Sequence, residues 1–187
     1  FNGDTVSNTA VKVGYGADFG TISADFVLNS KDDILFGAGY AGNAAGWSFF
    51  ANVLFNKIGD AFVLHPEVYV DGKAGDIGIQ VFIPVTYAKG PFGYAGYYWN
   101  YRPACSGWGV DGDVLVGTTA KVSFPAGPVN GYVELKVGDW LADNLSINII
   151  PGVTGAVGAM GWEAKFDATI AGGNFTFDLP VIFTLNY

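Results

Sequence analysis

The last stretch of the chain, NFTFDLPVIFTLNY at 174–187, has an apolar side chain at every second position. Such strict alternation is the pattern of a β-strand whose two faces meet different surroundings. The alternate positions between them are mostly polar. The stretch therefore predicts a strand with one apolar and one mostly polar face. The apolar column contains Phe175, Phe177, Leu179, Val181, Phe183, Leu185 and Tyr187.

The same alternation returns along the chain between short turn signals. Gly, Pro, Asn and Asp dominate those signals because they supply the backbone angles and local hydrogen bonds of tight reversals. Connections this short join antiparallel neighbours, so eleven turns predict an up-and-down meander of about twelve strands. The turns lie at 19–21, 29–33, 41–46, 56–60, 71–76, 88–91, 102–107, 124–128, 140–144, 155–159 and 171–173.

The composition differs from that of a typical soluble domain and also excludes membrane helices. Half of the residues are hydrophobic and only 14% are charged, against about 25% charged residues in a typical soluble domain. No stretch approaches the roughly 20 apolar residues of a membrane helix. Nothing in the composition divides the chain, so we predict a single domain over residues 1–187.

Strand number then favours a particular arrangement of the sheet. An open sheet of twelve strands would leave two edges unpaired and a large apolar face exposed, whereas closure into a barrel removes the edges. Side chains alone fill a barrel of about eight strands, so a wider barrel with its apolar face inward would leave a hole. We therefore predict an all-β, closed antiparallel up-and-down transmembrane β-barrel with its apolar face outward.

Several other functions find little support in the sequence. The net charge of −8, with few and scattered Lys and Arg, argues against nucleic acid as a partner. His65, the single histidine, lies beside Glu67 on the polar face, but no serine nucleophile can be assigned to it. Cys105 is also single and lacks metal-ligand spacing. We expect no enzyme activity, no metal and no cofactor.

The terminal strand resembles the assembly signal of bacterial outer-membrane β-barrels, because it alternates and ends on an aromatic residue. Phe183, Leu185 and Tyr187 would form that signal, although this family more often ends in Phe, and Pro180 removes one ladder donor. The resemblance implies a bacterial outer-membrane location in the cell envelope. It also implies the lipid bilayer and the barrel assembly machinery as partners, with a homo-oligomer left open.

The polar positions of the predicted strands would line the lumen. They carry ten acids and four bases, and an excess of carboxylates around an aqueous path attracts cations. We therefore expect a porin-like channel for passive diffusion of small solutes with a mild preference for cations. The alternatives are a structural envelope barrel, or a self-assembling surface-layer, sheath or pilus β-protein, neither with a transport role. The predicted pore-lining residues are Lys12, Asp18, Asp25, Glu67, Asp71, Asp111, Asp113, Lys121, Glu134, Lys136, Glu163, Lys165, Asp167 and Asp178.

Overall fold

The computed structural model describes residues 8–29, 34–58, 60–89, 92–93, 108–109 and 114–185. All of the regular structure in these residues is β-strand, and none of them forms a helix that could cross a membrane. The strands are β1 (Asn8–Ala17), β2 (Gly20–Asn29), β3 (Ile34–Ala44), β4 (Trp47–Ile58), β5 (Ala61–Ala74), β6 (Ile77–Lys89), β7 (Phe92–Gly93), β8 (Trp108–Gly109), β9 (Val114–Val116), β10 (Thr118–Ala126), β11 (Val129–Val137), β12 (Ser146–Val157), β13 (Met160–Lys165), β14 (Asp167–Ala171), β15 (Asn174–Asp178) and β16 (Val181–Leu185).

Fourteen of these strands form one antiparallel sheet, which confirms the predicted all-β antiparallel fold. The main path runs β1-β2-β3-β4-β5-β6-β10-β11-β12-β13-β16. In addition, β9 pairs with β6, β14 pairs with β12 and β15, and β7 pairs only with β8. No hydrogen-bonded pairing among the described residues joins β1 to the strands at the other end of this order. The observed fold is therefore an antiparallel sheet, and the predicted closure of a barrel stays a prediction.

The chain divides into two compact units. Unit 1 contains Phe1–Tyr69 and Pro84–Val116, and unit 2 contains Val70–Ile83 and Gly117–Tyr187. Strands β5 and β6 therefore contribute residues to both units, whereas β1 to β4 belong to unit 1 and β10 to β16 to unit 2. The single domain predicted over residues 1–187 stays a prediction.

Two-residue turns set the register of several hairpins. In unit 1, Ala45 and Gly46 join β3 to β4 with φ angles of 51° and 81°. In unit 2, Gly172 and Gly173 join β14 to β15 with φ angles of 55° and 77°. Positive φ at both central residues is typical of the turn whose twist matches a β-hairpin. Within the turns predicted at 41–46 and 171–173, the structure therefore has tight two-residue reversals.

Sixteen strands are described where twelve are predicted, and three of the interruptions that raise the number lie within the described residues. The interruptions fall at Gly117 between β9 and β10, at Phe166 between β13 and β14, and at Leu179 and Pro180 between β15 and β16. Pro180 has no N–H to give to a ladder. Its carbonyl oxygen instead accepts a hydrogen bond of 3.2 Å from the Lys165 N–H. The stretch predicted as a strand between the turns at 88–91 and 102–107 lies mostly outside the described residues.

Alternation gives the sheet two chemically different faces in each unit. On β5, Val63 and His65 are 1% and 2% exposed, whereas the intervening Leu64 is 38% exposed. We call the face that carries Leu64 the exposed face and the opposite one the buried face. Large apolar side chains dominate the exposed face. In unit 1 they include Val11, Val13, Ile22, Phe36, Leu64 and Val68, and in unit 2 Ile77, Val122, Val133, Ile149, Val153, Phe175 and Phe183.

Candidate functional site

The buried face of unit 1 holds a cluster of polar side chains around the single histidine. His65 Nδ1 lies 2.6 Å from the Thr86 hydroxyl oxygen, and His65 Nε2 lies 3.4 Å from Glu67 Oε2. The Asn52 amide donates a 3.0 Å hydrogen bond to Glu67 Oε1. Strands β4, β5 and β6 together supply these four residues, which we call the His65 cluster.

Apolar packing surrounds the His65 cluster. Leu54, Val63 and Ala88 form a buried core on the same face. The rings of Phe50 and Tyr69 lie 5.0 Å apart between their centroids. A hydroxyl that contacts an imidazole, which in turn contacts a carboxylate, is the arrangement of a nucleophilic triad. Here, however, Thr86 is only 6% exposed and His65 2%. A reacting carbonyl needs access to such a hydroxyl, so this geometry fits a buried structural network of polar groups.

The buried face of unit 2 carries a second cluster, which we call the Tyr132 cluster. Tyr132, on β11, donates a hydrogen bond from its hydroxyl to Glu163 Oε1 on β13. The Lys121 ammonium nitrogen lies 4.0 Å from the centroid of the Tyr132 ring. Glu134 is directly opposite Lys121 in the ladder of β10 and β11, and the Lys136 ammonium lies 3.5 Å from Glu134 Oε1. Charges of both signs are therefore brought together on this face.

A third set of polar contacts lies further along the same face of unit 2. The Asn148 amide on β12 donates hydrogen bonds of 3.3 Å to Asp167 and of 2.7 Å to Thr169, both on β14. Asp178 on β15 is directly opposite Asp167 in the ladder and is exposed. Two carboxylates therefore face each other at adjacent positions on β14 and β15.

The remaining predicted lining residues are dispersed. Lys12 is exposed on β1, opposite Asp25 of β2, and Asp18 lies in the exposed turn between these strands. Asp71 is half-buried on β5, and Lys165 is half-buried on β13. Of the three residues of the predicted terminal signal, Phe183 and Leu185 are exposed on β16. Several predicted positions lie outside the described residues, namely Asp111, Asp113, Tyr187 and the side chain of Asp25.

The structure brings together residues that the sequence did not single out. Thr86, Asn52 and Tyr132 each complete a cluster from another strand. A register argument finds one of them, because a two-residue turn at 75–76 sets position 65 opposite 86. Within the described part of the chain, no group of three or more His, Cys, Asp or Glu could hold a metal ion.

Comparison of the chain with protein-family models, with curated proteins and with solved structures gave no match. The functional assignment therefore depends on the distribution of side chains over the two faces and on the contacts of the two clusters.

Proposed function

We propose that the chain is an outer-membrane, porin-like β-barrel that lets small solutes pass by passive diffusion with a mild preference for cations. The observation that carries this proposal is the distribution of side chains over the two faces of the sheet. Large apolar side chains are exposed on one face in both units, whereas the imidazole, carboxylate and hydroxyl groups of the two clusters lie on the other.

The exposed face supports a lipid environment. A contiguous apolar patch larger than a few hundred Å² is rare on a soluble monomer and marks a membrane or protein contact. Here exposed large apolar side chains recur on β1, β2, β5, β10, β11, β12, β15 and β16. Strands of about 9 to 11 residues span the hydrocarbon layer when tilted. The strands β1 to β6 and β10 to β12 run from 9 to 14 residues.

Closure of the sheet follows from the same environment. An unpaired strand edge in hydrocarbon leaves backbone N–H and C=O groups unsatisfied, at several kcal/mol each. We therefore propose that the two ends of the strand order meet in a closed barrel. The exposed Phe183 and Leu185 of the terminal strand agree with its proposed role as the signal read by the assembly machinery.

The buried face supports a polar lumen with a cation preference. Glu67, Asp71, Glu163 and Asp167 have carboxylates on this face and are half-buried. Lys121 and Lys136 lie close to Glu134, so part of the acidic excess is compensated locally. Only the uncompensated carboxylates would attract cations, which is why the proposed preference is mild.

Electrical recording from the purified full-length chain in a planar bilayer tests this function. We expect steady ohmic conductance and, in a KCl gradient, a reversal potential of the sign that K⁺ permeation produces. Heat-unfolded protein in the same detergent serves as the control and should give no conductance. A preference for Cl⁻, or no conductance from protein that migrates as a folded barrel on an unboiled gel, would contradict the channel.

One observation favours a second candidate, a structural envelope barrel with little conductance. The buried face of unit 1 contains the tightly buried Leu54, Val63 and Ala88 beside the Phe50 and Tyr69 rings, and packed apolar side chains on this face would leave less room for water. Folded protein that inserts into bilayers yet never conducts would favour this candidate. Protein that stays soluble without detergent would instead favour a surface-layer, sheath or pilus subunit.

A further inference from the structure

Tyr132 links three strands of unit 2 across a glycine. It is 4% exposed on β11, and its hydroxyl reaches Glu163 on β13, with β12 between them. Gly152 of β12 lies directly opposite Tyr132 in the ladder. A Cβ atom at position 152 would lie only 2.4 Å from the ring carbon Cζ. The ring can therefore cross β12 only because residue 152 has no side chain.

This arrangement restricts the position of one carboxylate on the buried face. Glu163 accepts the phenol hydrogen bond, which orients the carboxylate without removing its charge. Lys165 lies two residues further along β13 and therefore on the same face. Without the hydroxyl, the Glu163 side chain is free to turn towards the Lys165 ammonium. A carboxylate in such an ion pair presents much less negative field to a passing ion.

We infer that Tyr132 is a positioning residue for ion selectivity, which holds Glu163 as a fixed negative charge beside the path of the permeating ion. This inference rests on the proposed channel function and names a residue that determines its specificity. Rings of charged side chains set selectivity in wide pores, so a charge held in place contributes more than one that is paired. The Lys121 ammonium lies 4.0 Å from the centroid of the same ring and adds a cation–π contact to Tyr132.

The reversal potential of the full-length channel in a KCl gradient measures this role. We expect Glu163→Gln to move the reversal potential towards zero, because it removes the charge. Tyr132→Phe should move it in the same direction by a smaller amount, since the carboxylate remains but is no longer held. The double variant should match Glu163→Gln alone, because the hydroxyl acts only through that carboxylate.

A glycine pair gives an independent perturbation with a matched control. Gly152→Ala retains every polar group but pushes a methyl group into the Tyr132 ring, so it should reproduce the shift of Tyr132→Phe. Gly161 lies on the same face on β13, and a Cβ there would meet only the Thr184 carbonyl oxygen at 3.8 Å. Gly161→Ala should therefore leave the reversal potential unchanged.

The outcomes separate this inference from the proposed function. If the parent protein conducts with a cation preference and both Tyr132→Phe and Gly152→Ala leave the reversal potential unchanged, the inference is wrong and the channel function stands. If the unsubstituted protein never conducts, both the proposed channel function and this inference are wrong. If Tyr132→Phe and Gly152→Ala both fail to migrate as folded protein on an unboiled gel, the placement of the Tyr132 side chain serves folding, and the inference is again overturned.

Discussion

The buried faces of the two units are made by similar antiparallel strands but carry different side chains. In unit 1, Leu54, Val63 and Ala88 pack together, and the His65 cluster lies among apolar neighbours. In unit 2, Tyr132 contacts both Lys121 and Glu163, and these two charged residues are half-buried. Both units nevertheless expose the same kind of apolar face. The two units therefore resemble each other on the exposed face and differ on the buried one.

This difference assigns different roles to the two units within the proposed barrel. A tightly packed buried face stabilises the sheet but offers little water to a solute. A charged, half-buried face supplies the field that acts on ions. We therefore expect substitutions in unit 1 to change stability, and those in the Tyr132 cluster to change selectivity.

The largest effect should come from opening a cavity in the packed face of unit 1. Leu54 is 2% exposed within its core. Leu54→Ala should lower the free energy of unfolding by about 2 to 5 kcal/mol, because a buried leucine loses its contacts and leaves a void. Urea unfolding in detergent micelles measures this change. As a control, Leu141→Ala in an exposed turn of unit 2 should change stability by about 0.5 kcal/mol or less. Similar small effects from both would mean that the buried face of unit 1 is loosely packed.

The second largest effect should come from placing a charge on the apolar exposed face, which the two units share. Leu64 of unit 1 and Val133 of unit 2 both lie on the exposed face. An arginine at either position should destabilise the protein folded in lipid vesicles by about 2 to 4 kcal/mol near the bilayer midplane and by about 0 to 1 kcal/mol near an interface.

The control for this pair is Asn144→Arg, which adds the same side chain in an exposed turn. We expect it to leave the unfolding midpoint unchanged. The comparison is made in vesicles and again in a detergent with a short acyl chain. If Leu64→Arg and Val133→Arg are as stable as Asn144→Arg in vesicles, the exposed face does not contact lipid in either unit.

Local patterns were sufficient to predict the strands and their faces. Alternation at 174–185 and 77–87 and the Gly-rich turns at 41–46 and 171–173 involve residues that are neighbours in sequence, and the structure has strands and reversals at these places. The predicted lining positions Glu67, Lys121 and Glu163 lie on the buried face for the same reason.

Contacts that depend on more than the register of one tight hairpin were beyond such patterns. Tyr132 reaches Glu163 across an intervening strand, so it depends on two successive registers and on a glycine at position 152. The break at Phe166 likewise depends on its partner on β12, because Pro151 accepts the Phe166 N–H at 2.9 Å but has no N–H to donate in return. No local composition encodes either of these contacts.

The smallest effect compares one substitution in the two units. Glu67 accepts a hydrogen bond from Asn52 and lies beside His65, with its side chain 11% exposed. Glu67→Ala leaves the half-buried Asn52 amide without its acceptor and removes the carboxylate beside buried His65, so it should lower the free energy of unfolding by about 1 to 3 kcal/mol. Glu134 pairs with Lys136, whose side chain is 48% exposed. Because solvent screens such a pair, Glu134→Ala should change the free energy of unfolding by only about 0.2 to 1 kcal/mol.

Salt concentration separates the two cases further. Raising KCl should reduce the small effect of Glu134→Ala, because a partly exposed ion pair is screened, and should leave most of the effect of Glu67→Ala, because buried hydrogen bonds are screened much less. Urea midpoints at low and high KCl measure both. Equal effects of the two substitutions, with equal dependence on salt, would mean that water reaches the His65 cluster as readily as the charged face of unit 2. The difference between the two buried faces would then be one of composition alone, and Glu67 would contribute to the proposed cation preference as fully as the carboxylates of unit 2.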